Sequence, residues 1–374
     1  MHRFHSPRFA ALLLLIASAA GTACSAEPEK DRAPAGGPTA AATRQIMSAV
    51  EPEVERLMTD PGYRAVSGVV YFRGRAQTFH FGVLPSGHRP DDRTLYEVAS
   101  ITKTYTGLLL AQAVRDGKVE LDVPVSAYLP EIDPARLARD GQDVTLRHLA
   151  THTSGLPVFL TCDEGDMPDP ARIACLEAHD DRDFLTRLAR ADLLSEPGRT
   201  YLYSSVGSRL IGLVLERRYG ASYEDLLQRF VFARTGETDV HCRIGPQDQA
   251  RLATPEGIGP GCNGGSGLIA STADIARYLA FYLSGGNDLV VQATTPLVQQ
   301  GQWGRAYQWN TYRPDTEGML YHGGGAFNTS SWVSIYPREG MGVFLTTPHV
   351  ASDAQEELNE RANAIVARLR RLPE

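Results

Sequence analysis

Ser100 and Lys103 are the residues of this sequence whose types and spacing most directly suggest chemistry. They lie three positions apart in the stretch SITKTYTGLLLAQAV, which is mainly apolar after the lysine. A serine hydroxyl is a poor nucleophile near neutral pH and needs a base within hydrogen-bond reach. If Ser100 begins a helix, Lys103 lies one turn on and on the same face, so its amine can approach the hydroxyl. The pair therefore predicts a serine nucleophile with a lysine partner.

The lysine at position 103 is unusual for this chain. Lys30, Lys103 and Lys118 are its three lysines, and the other 34 of its 37 basic residues are arginines. Arginine stays charged and cannot exchange a proton with a serine, whereas an amine among apolar side chains is driven towards its neutral form. A helix start would add backbone N–H groups and a positive dipole end beside Ser100. Taken alone, the spacing also fits a capping serine and a lysine with a packed stem.

A longer stretch around this pair resembles the nucleophile segment of a known superfamily. Residues 94–131, TLYEVASITKTYTGLLLAQAVRDGKVELDVPVSAYLPE, are similar to that segment in the serine β-lactamase superfamily. The superfamily includes class C β-lactamases, D-alanyl-D-alanine carboxypeptidases and related esterases. Four more segments follow in the family's order: LRHLATHTSGLP, EPGRTYLYSS, GGSGLIASTADIARYL and YHGGGAFNTSSWVSIYP. The similarity runs from about residue 45 to 370.

The resemblance implies a role for each catalytic residue. Ser100 would be the acylated nucleophile, and Lys103 its partner on the helix. Tyr203, the first residue of a YSS triplet that stands for the family's YxN, would move protons together with Lys103 as a jointly titrating pair. The backbone N–H groups of Ser100 and Gly325 would form the oxyanion hole, where a glycine permits close approach of the substrate.

Two positions depart from the family's pattern. Ser205 replaces the asparagine of YxN and offers a shorter side chain with fewer hydrogen bonds. His322 of HGG stands in place of the lysine of KTG; with Gly324 and Ser205 it is expected on the substrate-binding side. These changes weaken the case for an efficient β-lactamase, which must hold its substrate amide firmly, but they leave the acylation machinery in place. His152 in THTSGLP is expected to be structural and to hold a loop near the site.

The elements that must position these residues follow from hydrophobic patterning. A helix is expected within residues 44–60, then a hairpin of strands AVSGVVYF and AQTFHFGV. Residues from about 120 to 295 are mostly helices and loops, after which strands return in SSWVSIYP and MGVFLTTP before a closing helix. This order predicts an α+β fold with a mainly antiparallel sheet from both chain ends, flanked by helices, and an inserted helical region. The resemblance implies the β-lactamase/transpeptidase-like form of that fold.

The N-terminal residues predict export. Residues 1–23 have a basic start, an apolar run and small residues before Cys24, as in a secretory signal. The same small residues resemble a bacterial lipobox, in which Cys24 is lipidated, although Gly21 replaces the usual leucine; ordinary cleavage is the alternative. Residues 24–43 predict a flexible tether, and residues 44–374 the hydrolase domain. We expect a periplasmic or cell-surface protein attached to a bacterial membrane through Cys24.

Four cysteines remain once Cys24 is set aside, an even number that suits disulfides in an exported chain. Three pairings are possible, and the local one, Cys162 with Cys175 and Cys242 with Cys262, closes two short loops. Metal binding is the weaker interpretation, because the chain has no CxxC and its single HxxxH has leucine where a zinc protease has glutamate. No cofactor is expected. The net charge of −7, without clustered Lys and Arg, argues against nucleic acid as a partner.

These observations predict an exported serine hydrolase that works through an acyl-enzyme on Ser100. Its substrate would be a D-amino-acid peptide of the cell-wall type or a small ester or amide. A class C-like β-lactamase is one alternative. A non-catalytic penicillin-recognising or cell-wall-binding protein is the other.

Overall fold

The computed structural model of the chain describes residues 40–160, 171, 175, 180–254, 259, 261–313 and 318–373. The predicted signal, Cys24 and most of the predicted tether therefore lie outside the described residues. So does Cys162.

Thirteen strands are assigned within the described residues. In chain order they are β1 (Ala65–Phe72), β2 (Arg75–Gly82), β3 (Leu95–Ala99), β4 (Ala138–Arg139), β5 (Gln142–Asp143), β6 (Val240–His241), β7 (Leu268–Ser271), β8 (Val298–Gln300), β9 (Trp303–Arg305), β10 (Asn310–Tyr312), β11 (Met319–Gly325), β12 (Ser330–Tyr336) and β13 (Met341–Thr347). The short strands β4 to β10 were not predicted, because runs of two to four residues are too short to show a strand pattern.

The helices of the described residues are, in chain order, α1 (Ala40–Leu57), α2 (Thr102–Arg115), α3 (Leu146–Ala150), α4 (Asp181–Leu188), α5 (Ser205–Tyr219), α6 (Tyr223–Leu227), α7 (Ala233–Thr235), α8 (Thr272–Leu283), α9 (Asp288–Thr294) and α10 (Ala354–Leu369). Helix α1 begins at Ala40, inside the segment predicted as a tether, because three consecutive alanines favour helix. Within the described residues no helix combines the length and apolarity needed to cross a membrane.

An eight-stranded antiparallel sheet is the centre of the fold. Its strand order is β2-β1-β13-β12-β11-β10-β9-β8, so the first hairpin of the chain pairs with the last strand. Ser67 of β1 lies opposite Thr346 of β13. The expectation of an α+β fold with a mainly antiparallel sheet from both chain ends is therefore confirmed. A smaller sheet, in the order β3-β7-β6, carries the chain into the region of Ser100.

Helices cover both faces of the large sheet. Helices α1 and α10 bury Val50, Val54, Leu358 and Ile365 in a core that also contains sheet residues such as Val343. The other face belongs to a larger core, in which α2 and α5 bury leucines and valines from the predicted helical region. Each such side chain contributes roughly 1.5–3 kcal/mol when it leaves water. Helix α2, which carries Lys103, is therefore fixed by packing along its length.

Disulfide bonding is described for three cysteines. Cys242 and Cys262 form a disulfide across a separation of 20 residues. Cys175 is also disulfide-bonded, but its predicted partner, Cys162, lies outside the described residues, so that pairing stays a prediction. The bond at Cys262 fixes one end of the loop that leads to Gly265, a residue of the candidate site.

Candidate active site

Ser100 lies at a sharp bend between a strand and a helix. Strand β3 ends at Ala99, whose φ of 48° is in the left-handed region that residues with a side chain seldom adopt. The pairing of β3 with β7 shifts in register between Glu97 and Ala99. Helix α2 begins at Thr102, two residues later than Ser100, yet the Lys103 N–H already donates to the Ser100 carbonyl at 3.0 Å. The bend leaves Ser100 half-buried at the start of the helix.

Lys103 connects three elements of the site. Its side chain is fully buried, and Nζ donates to Ser100 Oγ at 3.1 Å and to Ser205 Oγ at 3.2 Å. A third bond of 2.6 Å goes to the carbonyl of Gly265, in the loop before β7. Three acceptors match the three donors of an ammonium group. The predicted approach of Lys103 to Ser100 is present, and a proton has a direct path between Nζ and Oγ.

Tyr203 lies against the same amine. The Lys103 nitrogen is 4.9 Å from the centroid of the Tyr203 ring, within the range of a cation–π contact. Helix α5 begins two residues later at Ser205, and Ser204 caps it by accepting from the Gly207 N–H at 2.9 Å. The cap sets the direction in which the chain enters α5. The structure thus brings Ser100, Lys103, Tyr203 and Ser205 together, as the resemblance implies.

His152 holds the segment that carries Tyr203. Its carbonyl accepts from the Leu202 N–H at 2.8 Å, and its Nδ1 accepts from the Ser204 N–H at 3.2 Å. The ring centroids of His152 and Tyr203 are 4.7 Å apart. Burial, and then the positive charge of Lys103, hold the pKa of His152 well below its ordinary value. His152 is therefore neutral, with its proton on Nε2.

His322, on strand β11, is also neutral. Its Nδ1 donates to the Gly323 carbonyl at 2.6 Å, so Nε2 is left as an acceptor. Burial, and then the charge of Lys103, lower the pKa of His322 to about 3. Its ring centroid is 6.4 Å from that of Tyr203, and the buried Nε2 has no hydrogen-bond partner among the described residues. His322 can thus accept a hydrogen bond, but it supplies no positive charge.

Glycines bring the end of β11 close to the bend at Ser100. A Cβ on Gly324 would lie 2.4 Å from the carbonyl oxygen of Val98, so this contact requires glycine. Thr329, in the turn after β11, donates from Oγ1 to the Glu97 carbonyl at 2.8 Å. Gly325, the predicted second oxyanion donor, is the last residue of β11. The strand that carries it is thus fastened to the strand that leads to Ser100.

Sequence reasoning missed two groups of the site. The first is the Gly265 carbonyl in the GCNGGSG loop before β7, which accepts a hydrogen bond from Lys103 Nζ. The loop's run of glycines was a usable signal, because a Cβ on Gly264 would lie 2.3 Å from the Ser208 carbonyl and would push the loop away. The second group is Arg305 of β9, whose guanidinium carbon lies 4.2 Å from the centroid of the Tyr201 ring. No sequence pattern distinguished it from the other arginines.

The HxxxH histidines take part in backbone hydrogen bonds. His148 Nδ1 accepts from the Thr145 N–H at 3.2 Å at the start of α3, and His152 binds the segment of Tyr203. Across the ranges that the structure describes, no group of three or more His, Cys, Asp or Glu side chains could hold a metal ion.

Comparison with known proteins gives related sequences and folds. The family model described as Beta-lactamase matches residues 50–368. Esterase EstB of Burkholderia gladioli is 36% identical over 177 residues, which are 46% of this chain and 43% of the esterase. A beta-lactamase of Escherichia coli (strain K12) is 26% identical over 285 residues, 72% of this chain and 71% of that protein. The esterase is therefore matched over less than half of its own length.

One solved structure covers almost the same length. The beta-lactamase/D-alanine carboxypeptidase from Yersinia pestis, complexed with citrate, superimposes with a TM-score of 0.74. The match covers 88% of this chain and 99% of that chain, at 20% sequence identity. At this identity the similarity shows the β-lactamase-like fold.

Proposed function

The chain belongs to the Beta-lactamase family, and on that basis we propose that it hydrolyses small esters, amides or D-amino-acid peptides through an acyl-enzyme on Ser100. The observation that carries the proposal is the position of Lys103. Its Nζ lies 3.1 Å from Ser100 Oγ inside a buried, hydrogen-bonded site. A buried amine so close to a serine hydroxyl fits the activation of a nucleophile.

The geometry supports the following sequence of steps. The Lys103–Tyr203 pair, in the form that has lost one proton, takes the proton of Ser100 as Oγ attacks the substrate carbonyl, which gives a tetrahedral oxyanion. The N–H groups of Ser100 and Gly325 stabilise that oxyanion. When the intermediate collapses, the bond to the leaving group breaks and the leaving group takes the proton. Water then attacks the carbonyl of the acyl-enzyme and gives a proton to the Lys103–Tyr203 pair. The bond to Ser100 Oγ breaks, Oγ takes that proton, and the acid is released.

Two residues favour esters over β-lactams. Ser205 replaces the family's asparagine and is bonded to Lys103 at 3.2 Å, so no carboxamide is available there to hold a substrate amide. His322 is neutral, whereas the lysine of the family's KTG motif is a cation. An ester depends less than an amide on a carboxamide that holds the substrate and on a nearby positive charge. Its carbonyl is more reactive than that of an ordinary amide, and its leaving group departs more easily. The relatives themselves are named as an esterase and as beta-lactamases.

The test is a hydrolysis screen with the purified protein. p-Nitrophenyl esters, D-alanyl peptides and a chromogenic cephalosporin are compared for wild type and Ser100→Ala. We expect ester or peptide turnover that is lost in Ser100→Ala, and labelling of Ser100 by a fluorophosphonate probe. Fast cephalosporin turnover that depends on Ser100 would instead assign the β-lactamase alternative. Absence of both turnover and labelling would support a non-catalytic binding protein.

We also propose that the protein is exported and attached to a membrane through a lipid on Cys24. The proposal rests on the signal-like residues 1–23 and on the disulfide between Cys242 and Cys262, a bond typical of oxidising compartments. Metabolic labelling with a radioactive fatty acid should mark the wild type in a bacterial host. Cys24→Ser should lose the label and appear in the soluble exported fraction. An unlabelled wild type would leave ordinary signal cleavage as the explanation.

A further inference from the structure

The shortest hydrogen bond described for the Lys103 amine goes to a tight turn. Residues 263–266, which we call the lysine-binding turn, are closed by two backbone hydrogen bonds between Asn263 and Ser266, of 2.9 and 3.3 Å. The Gly265 N–H donates to Asn263 Oδ1 at 2.8 Å, which fixes the turn from inside. The Gly265 carbonyl accepts from Lys103 Nζ at 2.6 Å, whereas the two hydroxyl acceptors of Nζ lie at 3.1 and 3.2 Å. The position of this turn therefore helps to set the position of the amine.

A disulfide fastens the entry of the lysine-binding turn to the small sheet. Cys262 directly precedes the turn and is bonded to Cys242, the residue after β6. Strand β6 pairs with β7, with Val240 opposite Ala270. The exit of the turn runs into β7, which begins at Leu268. Both ends of the turn are thus fixed to the same small sheet, the exit by the main chain and the entry by the disulfide.

The other contacts of the turn are non-covalent and depend on a close fit. The Gly264 carbonyl accepts from Thr106 Oγ1 of α2 at 2.8 Å. A Cβ on Gly264 would lie 2.3 Å from the Ser208 carbonyl oxygen, so the turn also touches α5 closely. A released entry end can adopt many more positions, because a covalent cross-link restricts the conformational freedom of a loop. Most of those positions take the Gly265 carbonyl away from Lys103, and a buried ammonium that loses an acceptor is destabilised.

We propose that the disulfide between Cys242 and Cys262 positions the catalytic lysine through the Gly265 carbonyl, so that the enzyme loses most of its activity when a dithiol reduces this bond. The inference rests on the proposed function and adds a redox requirement to it. The cytosol keeps thiols reduced, whereas exported compartments allow disulfides to persist. The bond would therefore link full activity to the export proposed above.

Reduction of this bond is ordinary thiol–disulfide exchange. A thiolate of the dithiol attacks one sulfur of the cystine, forms a mixed disulfide and releases the other sulfur as a thiolate, which takes a proton. The second thiol of the reagent then displaces the remaining cysteine and closes a cyclic disulfide. The cystine gains two electrons and two protons, and the dithiol loses them. Cys262 is half-buried whereas Cys242 is 5% exposed, so the attack would begin at Cys262.

The experiment measures kcat/KM for p-nitrophenyl butyrate with the bond formed, reduced and absent. The oxidised wild type, the wild type treated with dithiothreitol, and the double variant Cys242→Ser/Cys262→Ser are compared. Thiol counting confirms that the bond is broken, and circular dichroism at the assay temperature confirms that each protein is folded. Both forms without the bond should lose on the order of tenfold to a hundredfold in kcat/KM, as a displacement of about 1 Å can cause. Reoxidation should restore the wild type.

Two further variants locate the effect. Cys175 is also disulfide-bonded, and dithiothreitol acts on that bond too, so Cys175→Ser is the matched control. It should keep the wild-type kcat/KM and should still lose activity in dithiothreitol. The double variant, in contrast, should not respond to the reagent. Asn263→Ala keeps the disulfide but loosens the turn from inside, and it should also reduce kcat/KM.

The pH profile of kcat/KM separates positioning of the lysine from stability alone. A carbonyl acceptor favours the protonated amine, so its displacement makes the loss of the proton easier. The acid limb of the profile should therefore move to lower pH in the double variant, and the plateau should fall. The other groups that face the amine do not mask this change. His152 and His322 stay neutral, Arg305 keeps its charge, and Tyr203 titrates jointly with the amine.

The outcomes separate the inference from the proposed function. A double variant whose kcat/KM stays within about twofold of wild type, or whose acid limb does not move, would overturn the inference alone. Unfolding of both the double variant and the reduced wild type would assign the bond to stability and would also overturn it. An oxidised wild type that hydrolyses no substrate of the screen, or hydrolysis that persists in Ser100→Ala, would overturn the proposed function and the inference with it.

Discussion

Ser205 Oγ accepts a hydrogen bond from Lys103 Nζ over 3.2 Å, at the position where the family's motif has asparagine. The serine therefore keeps one function of that asparagine, the contact with the catalytic lysine. It cannot also reach a substrate amide, because the serine side chain is shorter than that of asparagine. A hydroxyl also offers one donor, whereas a carboxamide offers an acceptor oxygen and two N–H donors.

Ser205→Ala should reduce kcat/KM for a good ester only about threefold to tenfold. The loss removes one neutral hydrogen bond, whereas Lys103 keeps its bonds to Ser100 and to the Gly265 carbonyl. Steady-state kinetics with p-nitrophenyl butyrate measure the change. Ser205→Asn, the matched variant, should raise the ratio of cephalosporin to ester turnover. A loss in Ser205→Ala as large as that in Ser100→Ala would show that Ser205 itself takes part in catalysis.

Lys103→Arg should reduce ester hydrolysis by about a hundredfold to ten-thousandfold. The substitution keeps the positive charge but removes the proton exchange with Ser100, and general acid–base catalysis typically contributes that range. Both kcat/KM and the rate of fluorophosphonate labelling should fall, because the acylation step itself is affected. Lys118→Arg is the control, since Lys118 is an exposed lysine just after α2. Near-wild-type labelling of Lys103→Arg would contradict the role assigned to the lysine.

Gly324→Ala should reduce activity more than Gly323→Ala does. A methyl group on Gly324 would lie 2.4 Å from the backbone oxygen of Val98, and the strand before Ser100 would have to move. On Gly323 the methyl group would instead meet the end of the exposed Gln355 side chain, which can turn aside. We expect a loss of at least about a hundredfold for Gly324→Ala, since a displacement of about 1 Å can have that effect.

The comparison of these two variants also separates packing from catalysis. Thermal unfolding should show Gly324→Ala destabilised by roughly 1–3 kcal/mol, as expected for overpacking. If Gly324→Ala and Gly323→Ala lose activity equally, the close contact between β11 and Val98 does not position the oxyanion hole.

Glu237 should make the stability of the protein fall as the pH rises. Burial raises the pKa of Glu237 to about 8 from an ordinary value of 4.5, and its carboxyl is hydrogen-bonded to Tyr105 of α2 at 2.7 Å. Between these two values the folded state holds a proton on Glu237 that the unfolded state has lost, so the contribution of Glu237 to stability decreases from about pH 4.5 to about pH 8. Glu237→Gln should flatten this decrease, because the amide does not titrate.

Urea unfolding at several pH values between 5 and 8 checks the expectation, which follows from the linkage of proton binding to folding. Some slope should remain in Glu237→Gln, because burial also raises the pKa of Glu97 to about 7. Glu55→Gln, at an exposed position of α1, is the control and should keep the wild-type slope. A Glu237→Gln curve that runs parallel to wild type would show that another group causes the decrease.

Part of the site could be predicted because its chemistry lies in local spacing. Ser100 and Lys103 are three residues apart, and one helical turn is enough to bring them together. The roles of Tyr203 and Ser205 were predicted from the resemblance to the family. The family's motifs occur in the same order along this chain, although they are far apart in the sequence. Strands β1, β2, β12 and β13 were predicted because each is a run of seven or eight residues and each pair is joined by a tight turn, whereas β8, β9 and β10 have three residues each and were not predicted.

The remaining contacts depend on how distant segments pack. Arg305 is one of many arginines in the sequence, and its stacking on Tyr201 arises only when β9 is placed between β10 and the edge strand β8. The Gly265 carbonyl is a backbone group, and no residue type marks it in a sequence. The sequence likewise does not predict the positive φ of Ala99, because alanine does not favour that conformation and the surrounding structure imposes it.

The pairing of β1 with β13 has a consequence for the moment at which the enzyme becomes active. Ribosomes make the N-terminal hairpin first and the strand that joins it to the rest of the sheet almost last. A nascent chain that already contains Ser100 and Lys103 still lacks β11, which carries His322 and Gly325, and β13, which links that strand to the hairpin through β12. We therefore expect a chain that ends before β11 to lack activity, because it lacks the proposed oxyanion donor Gly325 and the strands that hold it.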